Sequence, residues 1–293
     1  MIKKLFLILM LALLTVQVHA QIQVGLSIKR RLFLAYEPLI ATITVNNLTG
    51  KDITLEDKGT ERWFGFQVES SQGRLIPPLN PDYQLPPLKI GAGEVVKRSV
   101  NLVSLYPATE FGLYRVKANI FFGELDRYFS SQLVTFEVTE GRLLWQQTVG
   151  VPEGQVGAGE YRTLSLLSHR LPKDNMLYVR VQDKEAGLVL STYPLGRILN
   201  GVEPDIEIDT ANNLHVLQLV GPKTFLYSQV GVNGEWMGQT TYAQAKRPPK
   251  LKRTPSGMVE VAGGDVVVPA KKDAPPAAKI SDRPAGLPVP KAP

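Results

Sequence analysis

The sequence predicts an all-β chain in two folded parts, and three observations carry that prediction. Apolar residues recur at every second position in short runs along residues 21–243, the period of a strand with one buried and one wet face. Turn clusters such as Asn46-Asn47-Leu48-Thr49-Gly50 and Gly91-Ala92-Gly93 punctuate those runs. The chain contains no cysteine, so its cores rather than disulfides must hold it.

The two ends read differently from the middle. Lys3 and Lys4 precede an apolar run from Leu5 to Val16, closed by Val18-His19-Ala20. That order of charge, apolar run and small residue is a secretory signal, so residues 1–20 read as a Sec signal peptide. Its cleavage would leave Gln21 first and send the chain to the periplasm or the outside. No other apolar run approaches the ~20 residues of a membrane helix. A cysteine-free exported chain of 293 residues points to the bacterial envelope. Residues 244–293 hold ten prolines and two basic clusters, and read as a disordered tail. The ends also carry the charge. The whole chain totals +6, whereas residues 21–243 hold 21 basic and 23 acidic side chains. A nearly neutral body does not suit nucleic acid, so no such partner is expected.

Within residues 21–140 the alternations follow in order. Ile22, Val24, Leu26 and Ile28 form the first set, and Leu39, Ala41, Ile43 and Val45 the second. Phe64, Phe66 and Val68 make the third, and Val96, Val100 and Leu102 the fourth, with Arg98 on the same parity. A Pro-rich crossing between the last two, from Pro77 to Pro87, leaves room for a short edge strand. The clearest set comes next: after Gly112, residues Tyr114, Val116, Ala118 and Ile120 share one face and Arg115, Lys117 and Asn119 the other. Val134, Phe136 and Val138 close the region. Six or seven short strands in about 120 residues predict an antiparallel sandwich.

The run Tyr36-Glu37-Pro38-Leu39 leading into Thr44-Val45-Asn46-Asn47 resembles the second strand of secreted bacterial immunoglobulin-like domains. Gly93-Glu94-Val95 and Gly112-Leu113-Tyr114 are similar to the closing half of that group, and to small proteinase-inhibitor and macroglobulin-type domains. The resemblance implies an immunoglobulin-like sandwich over residues 21–140, with Gly112 and Tyr114 as a structural tyrosine corner. It implies a fold and no activity.

Residues 141–243 read as a second, smaller β-rich domain. Asn175 to Val181 finds an echo 37 residues on, in Asn212 to Leu219, and each is followed by a turn and a further strand. A last hairpin is expected at Asn233-Gly234, a type I′ signal, leading into Trp236. The echo is near the length of a propeller blade, and Asp209 to Val216 resembles the opening strand of propeller-type repeats. Two to three blades do not close a ring, so an open sheet or sandwich is the preferred form.

Catalytic signals are sparse. Past the signal peptide only His169 and His215 remain, and no Gly-x-Ser-x-Gly elbow, His-Glu-x-x-His helix or P-loop occurs. Both histidines read as structural, and Gly154 to Gly159 opens no helix that would bind a nucleotide. The sharpest anomaly is Glu203-Pro204-Asp205-Ile206-Glu207-Ile208-Asp209, whose carboxylates fall on one face of a strand. Asp205, Glu207, Asp209 and Asn212 are therefore a candidate Ca²⁺ set. The alternative is an edge strand whose charges deter aggregation. Trp63, Trp145, Trp236, Tyr161, Tyr178, Tyr193 and Tyr227 offer core packing or a binding platform. The basic tail segment Lys246 to Arg253, with Lys271 and Lys272, suits either a spacer or an anionic cell-surface polymer. The function these features suggest is a non-catalytic, exported protein binding an envelope protein or glycan, with no cofactor beyond possible Ca²⁺. A proteinase-inhibitor-like or enzyme-accessory role is the alternative.

Overall fold

The computed structural model describes residues 22–268; the signal-peptide assignment and the last basic cluster lie outside the described residues. In chain order the first strands are β1 (Ile22–Ile28), β2 (Leu32–Leu34), β3 (Ile40–Asn47), β4 (Ile53–Leu55), β5 (Phe64–Ser70) and β6 (Leu75–Ile76). Then come β7 (Leu88–Ile90), β8 (Val95–Asn101), β9 (Gly112–Phe122), β10 (Arg127–Ser130) and β11 (Val134–Thr139). The described residues are nearly all strand, turn and loop, and no helix among them is long and apolar enough to cross a membrane.

The chain divides into two compact units. The first comprises residues 22–31, 40–102 and 113–136 of the described chain. One antiparallel sheet runs β1-β3-β8; β5 and β9 form the heart of another, with β6 beside β5 and β10 beside β9. The expected alternation is realised: Ala41, Ile43 and Val45 are buried on β3, and Tyr114, Val116, Ala118 and Ile120 on β9. Gly112 opens β9 at a φ of 139°, which a side chain would strain. The Tyr114 ring lies flat on Phe136, centroids 5.2 Å apart and planes 7° apart. The fourth alternation gives only a largely exposed strand, β8, because Lys97, Arg98 and Ser99 keep it wet.

Residues 32–39, 103–112 and 137–268 form the second unit. Its strands are β12 (Arg142–Gly150), β13 (Tyr161–Arg170), β14 (Asn175–Asp183), β15 (Val189–Arg197), β16 (Asp205–Ile208), β17 (Leu214–Gly221) and β18 (Thr224–Val230). After these come β19 (Trp236–Ala243), β20 (Lys250–Arg253), β21 (Val259–Ala262) and β22 (Asp265–Val266). One sheet is ordered β12-β13-β14-β15 and the other β16-β17-β18-β19-β22. Leu164, Leu166, Val179, Val181 and Leu195 of the first share one core with Ile208, Leu214, Val216 and Val230 of the second. The unit is therefore a two-sheet sandwich. Tyr36-Glu37-Pro38-Leu39 belongs to it: Leu34 packs on Leu167 and Tyr178, and the Arg180 guanidinium stacks on Tyr36 and donates to Ala35 O at 2.6 Å.

Three expectations need correction. The 37-residue echo links unlike strands, since β14 stands third in its sheet and β17 second. The equivalent pairs are β13 with β17 and β14 with β18, whose turns carry Pro172-Lys173 and Pro222-Lys223, 50 residues apart. Leu164 and Leu166 face the same core as their counterparts Leu214 and Val216. Propeller blades would instead present opposite faces to successive neighbours, so the propeller likeness fails. The Asn233-Gly234 hairpin forms, but positive φ falls on Gly234 alone (88°), with Gly234 N donating to Gly231 O and Gly231 N to Glu235 O. That is a type I turn closed by a left-handed glycine, not type I′. Finally, the stretch expected to be disordered from residue 244 contains β20, β21 and β22. Leu251, Val259 and Val261 form the half-buried side of the β20–β21 hairpin, which packs on β16 and β17. Docking gives these few apolar residues a place to be buried, which composition averaged over 50 residues concealed.

Candidate functional site

The acidic run becomes β16, the first strand of its sheet. Ile206 and Ile208 point into the core, which turns Asp205 and Glu207 outward as the alternation requires. Each then meets the hairpin: Asp205 Oδ2 accepts from Leu251 N at 2.8 Å, and Arg253 reaches Glu207 at 3.4 Å and the carbonyl of Ile208. Asp209 leaves the strand and turns inward. Its Oδ1 accepts from the backbone N–H of Ala211 and Asn213 at 2.9 and 2.8 Å, an Asx turn that fixes the corner before β17. Its Oδ2 takes Asn213 Nδ2 at 3.0 Å and lies 3.2 Å from His215 Nε2. Asn212, at φ 61°, donates its side-chain amide to Gly150 O at 2.8 Å. The four residues proposed as calcium ligands are thus spread over an outer face, an inner corner and a cap. Among the described residues no three acidic, histidine or cysteine side chains converge on a metal position.

Both histidines are buried. His215 sits between Asp209 and Tyr227, whose hydroxyl is 2.6 Å from Nδ1, and His169 Nε2 lies 2.9 Å from Thr139 Oγ1. Burial raises the Tyr227 pKa, with Tyr242 and Asp209 adding to it. The aromatics separate into core and surface. Trp63 is buried and donates to Leu85 O, Trp145 packs on the core, Tyr178 is fully buried, and Tyr193 nearly so. Only Trp236 and Tyr161 of the set stand well exposed.

Trp236 marks the feature that the sequence reading missed, a braced cluster of loops at one end of the second unit. Arg162, its side chain 5% exposed, bonds Glu160 at 2.5 Å, Asp183 at 2.7 Å and Asn233 Oδ1 at 3.0 Å. Asn233 in turn donates to Val156 O at 3.1 Å. One buried cation therefore joins the 151–160 loop, the β14–β15 turn and the β18–β19 turn. Gly234 lies directly against Ser191, so a side chain there would collide as well as strain the turn. On these loops and at the start of β19, Val156, Leu188, Trp236 and Met237 remain exposed, at 87%, 62%, 43% and 50%. The Trp236 ring meets Tyr193 edge-on, centroids 5.8 Å apart. Tyr193 Oη and Ser191 Oγ are buried here without a hydrogen-bond partner. Burial drives the Tyr193 pKa well above its ordinary range, and Glu235 adds to it. The sequence signal was apolar residues flanking turns, Leu188 just before β15 and Trp236-Met237 opening β19.

No family model matches the chain, and no curated protein matches it. Among solved structures, the sporulation control protein Spo0M of Bacillus subtilis is similar at a TM-score of 0.28 and 13% identity, over 58% of this chain and 83% of that one. At that score the likeness carries no argument.

Proposed function

We propose that this is a non-catalytic exported protein that binds a partner in the bacterial envelope through the loop end of its second unit. The observation that carries the reading is the exposure of Val156 and Leu188 on loops joined by the buried Arg162 network, and of Trp236 and Met237 where β19 leaves one of those loops. Exposed apolar groups on a rigid frame mark interaction sites, and Trp and Met are enriched in them. The mixture of aliphatic and aromatic groups favours a protein partner over a glycan, which takes aromatic faces ringed by polar groups. Export rests on the sequence of residues 1–20. An immunoglobulin-like first unit is part of the proposal, supported by its antiparallel sheets; the Tyr36–Leu39 stretch that first suggested it groups with the second unit. Calcium has no part in this reading, because Asp205, Glu207, Asp209 and Asn212 each bond to protein groups. Lys250 and Lys252, on the outer side of the hairpin, supply a secondary contact with anionic surface polymer.

The test is co-sedimentation with isolated cell wall and capture from a solubilised envelope-protein fraction. Trp236→Ala with Leu188→Ser is expected to weaken protein capture at least tenfold, since truncating one central anchor costs about 2 kcal/mol or more. The melting temperature should stay near that of the unaltered protein. Capture unchanged by the double substitution would reject the loop end as the site.

A further inference from the structure

We propose that the free edge of β12 pairs with β12 of a second copy of this chain, joining two four-stranded sheets into one. Among the described residues β12 ends its sheet and pairs only with β13, in antiparallel register from Arg142↔Ser168 to Gly150↔Tyr161. From Trp145 to Val149 its opposite side offers, among the described residues, backbone N–H and C=O groups without a strand partner, a template for another strand, whereas Gly150 O is already taken by the Asn212 side chain. Natural sheets blunt such edges with charge, proline or bulges, and the second unit blunts its others in these ways. β15 carries Pro194 and two register shifts against β14. β16 carries Asp205 and Glu207 and lies under the basic hairpin. β19 is paired at Tyr242 and Ala243 with β22 and shifts register between Trp236 and Gly238.

β12 lacks these protections over most of its length. Leu143-Leu144-Trp145-Gln146-Gln147-Thr148-Val149 contains no charge and no proline, and its one irregularity lies before Trp145. Gln146, Gln147 and Thr148 are exposed, and Leu143 is 52% exposed. A run this uncharged and rich in strand formers is what edge pairing uses.

The occupant follows from charge and symmetry. Backbone groups facing a free edge alternate with those facing the neighbouring strand, so a two-fold copy can pair only residues of equal parity. The axis must then pass through a residue, and Gln147 is the middle of the regular run Trp145–Val149. In that arrangement Gln147 meets its own copy, Gln146 meets Thr148 and Trp145 meets Val149. No like charges face each other, and the patch is self-complementary, as a two-fold interface must be. Strand pairing buries little surface beyond the edges, so the dimer should be concentration-dependent.

The experiment measures mass against concentration by sedimentation equilibrium on the purified protein and its Gln147→Lys and Gln147→Glu variants. The Gln147 side chain is exposed and hydrogen-bonds no other side chain among the described residues, so its replacement leaves the β12–β13 backbone ladder in place. The unaltered protein is expected to pass from monomer to dimer with rising concentration. Either variant alone sets like charges across the axis and should weaken dimerisation at least tenfold. Mixing the Lys and Glu variants should restore it, because opposite charges then face each other. A monomer at every concentration overturns the proposal. So does a dimer that neither variant weakens, which would use another surface. Weakening that mixing does not reverse would also overturn it, since the charges would then not meet across the axis.

Discussion

At Asp209 two opposed effects set the charge state of a carboxyl that is 6% exposed. Burial alone would raise its pKa; the side chain and backbone of Asn213, together with His215, outweigh that and hold it below the usual carboxylate value. A carboxyl with a lowered folded pKa stabilises the native state above its unfolded value of about 3.9, and loses that contribution as pH falls through the lowered value. Asp209→Asn keeps the shape but places an amide group against Asn213 and His215. The variant is expected to be less stable by about 1–3 kcal/mol at neutral pH, the range for hydrogen bonds to a charged group. The gap should hold down to about pH 4 and close below it. Urea denaturation across pH 2.5–7 on both proteins, at intervals of about half a unit, checks this. A gap that stays constant into acid would show that the charge does not matter. The same residue shows a limit of sequence reading. Alternation placed Asp209 with Asp205 and Glu207, but the strand ends at Ile208 and the Asx turn redirects it.

The β20–β21 hairpin is an element whose stability is borrowed. A lone two-stranded hairpin is marginal in water, and this one is its own two-stranded sheet. It is fixed by Leu251 N on Asp205, Arg253 on Glu207 and Ile208, and Thr210 N on Gly257 O. Arg253→Ala removes two of these links. The expected result is hydrogen exchange at least tenfold faster over residues 250–262, with β17 and β18 unaffected; equal rates in both proteins would mean the hairpin is held by its apolar side alone. Its traces were present in the sequence as Leu251-x-Arg253 and Val259-x-Val261 around Ser256-Gly257. They were submerged in a proline- and lysine-rich window, and only the surface of β16 and β17 makes them fold. The same holds for Arg162: a single arginine after a glycine-rich loop says nothing until three loops close around it.

For the second unit as a whole, stability resides in one core shared by two sheets. Leu166 is fully buried in it, so Leu166→Ala should cost about 2–5 kcal/mol, the range for a large-to-small change in a closed core. Because both sheets line that core, protection of β13–β14 and β17–β18 should fall together in native-state hydrogen exchange. Loss confined to β12–β15 would mean that the sheets are stabilised separately. The described body is also close to neutral, with 26 basic and 25 acidic side chains over residues 22–268, so the partner binding we propose would depend on shape and apolar contact more than on net charge.

The sequence by itself determined the class of this protein: period-two runs such as Tyr114 to Ile120 permit only strands with one buried face, and those faces are buried as expected. It also determined where most strands of residues 21–243 begin and turn, because turn residues act locally. Pairing is not local. Which strand lies beside which, why Leu164 and Leu214 share a core, and how Arg162 gathers three loops depend on residues far apart in the chain, 71 positions for Arg162 and Asn233. Those contacts form only when the chain closes on itself, so the sandwich, the docked hairpin and the braced loop end were decided by the tertiary structure.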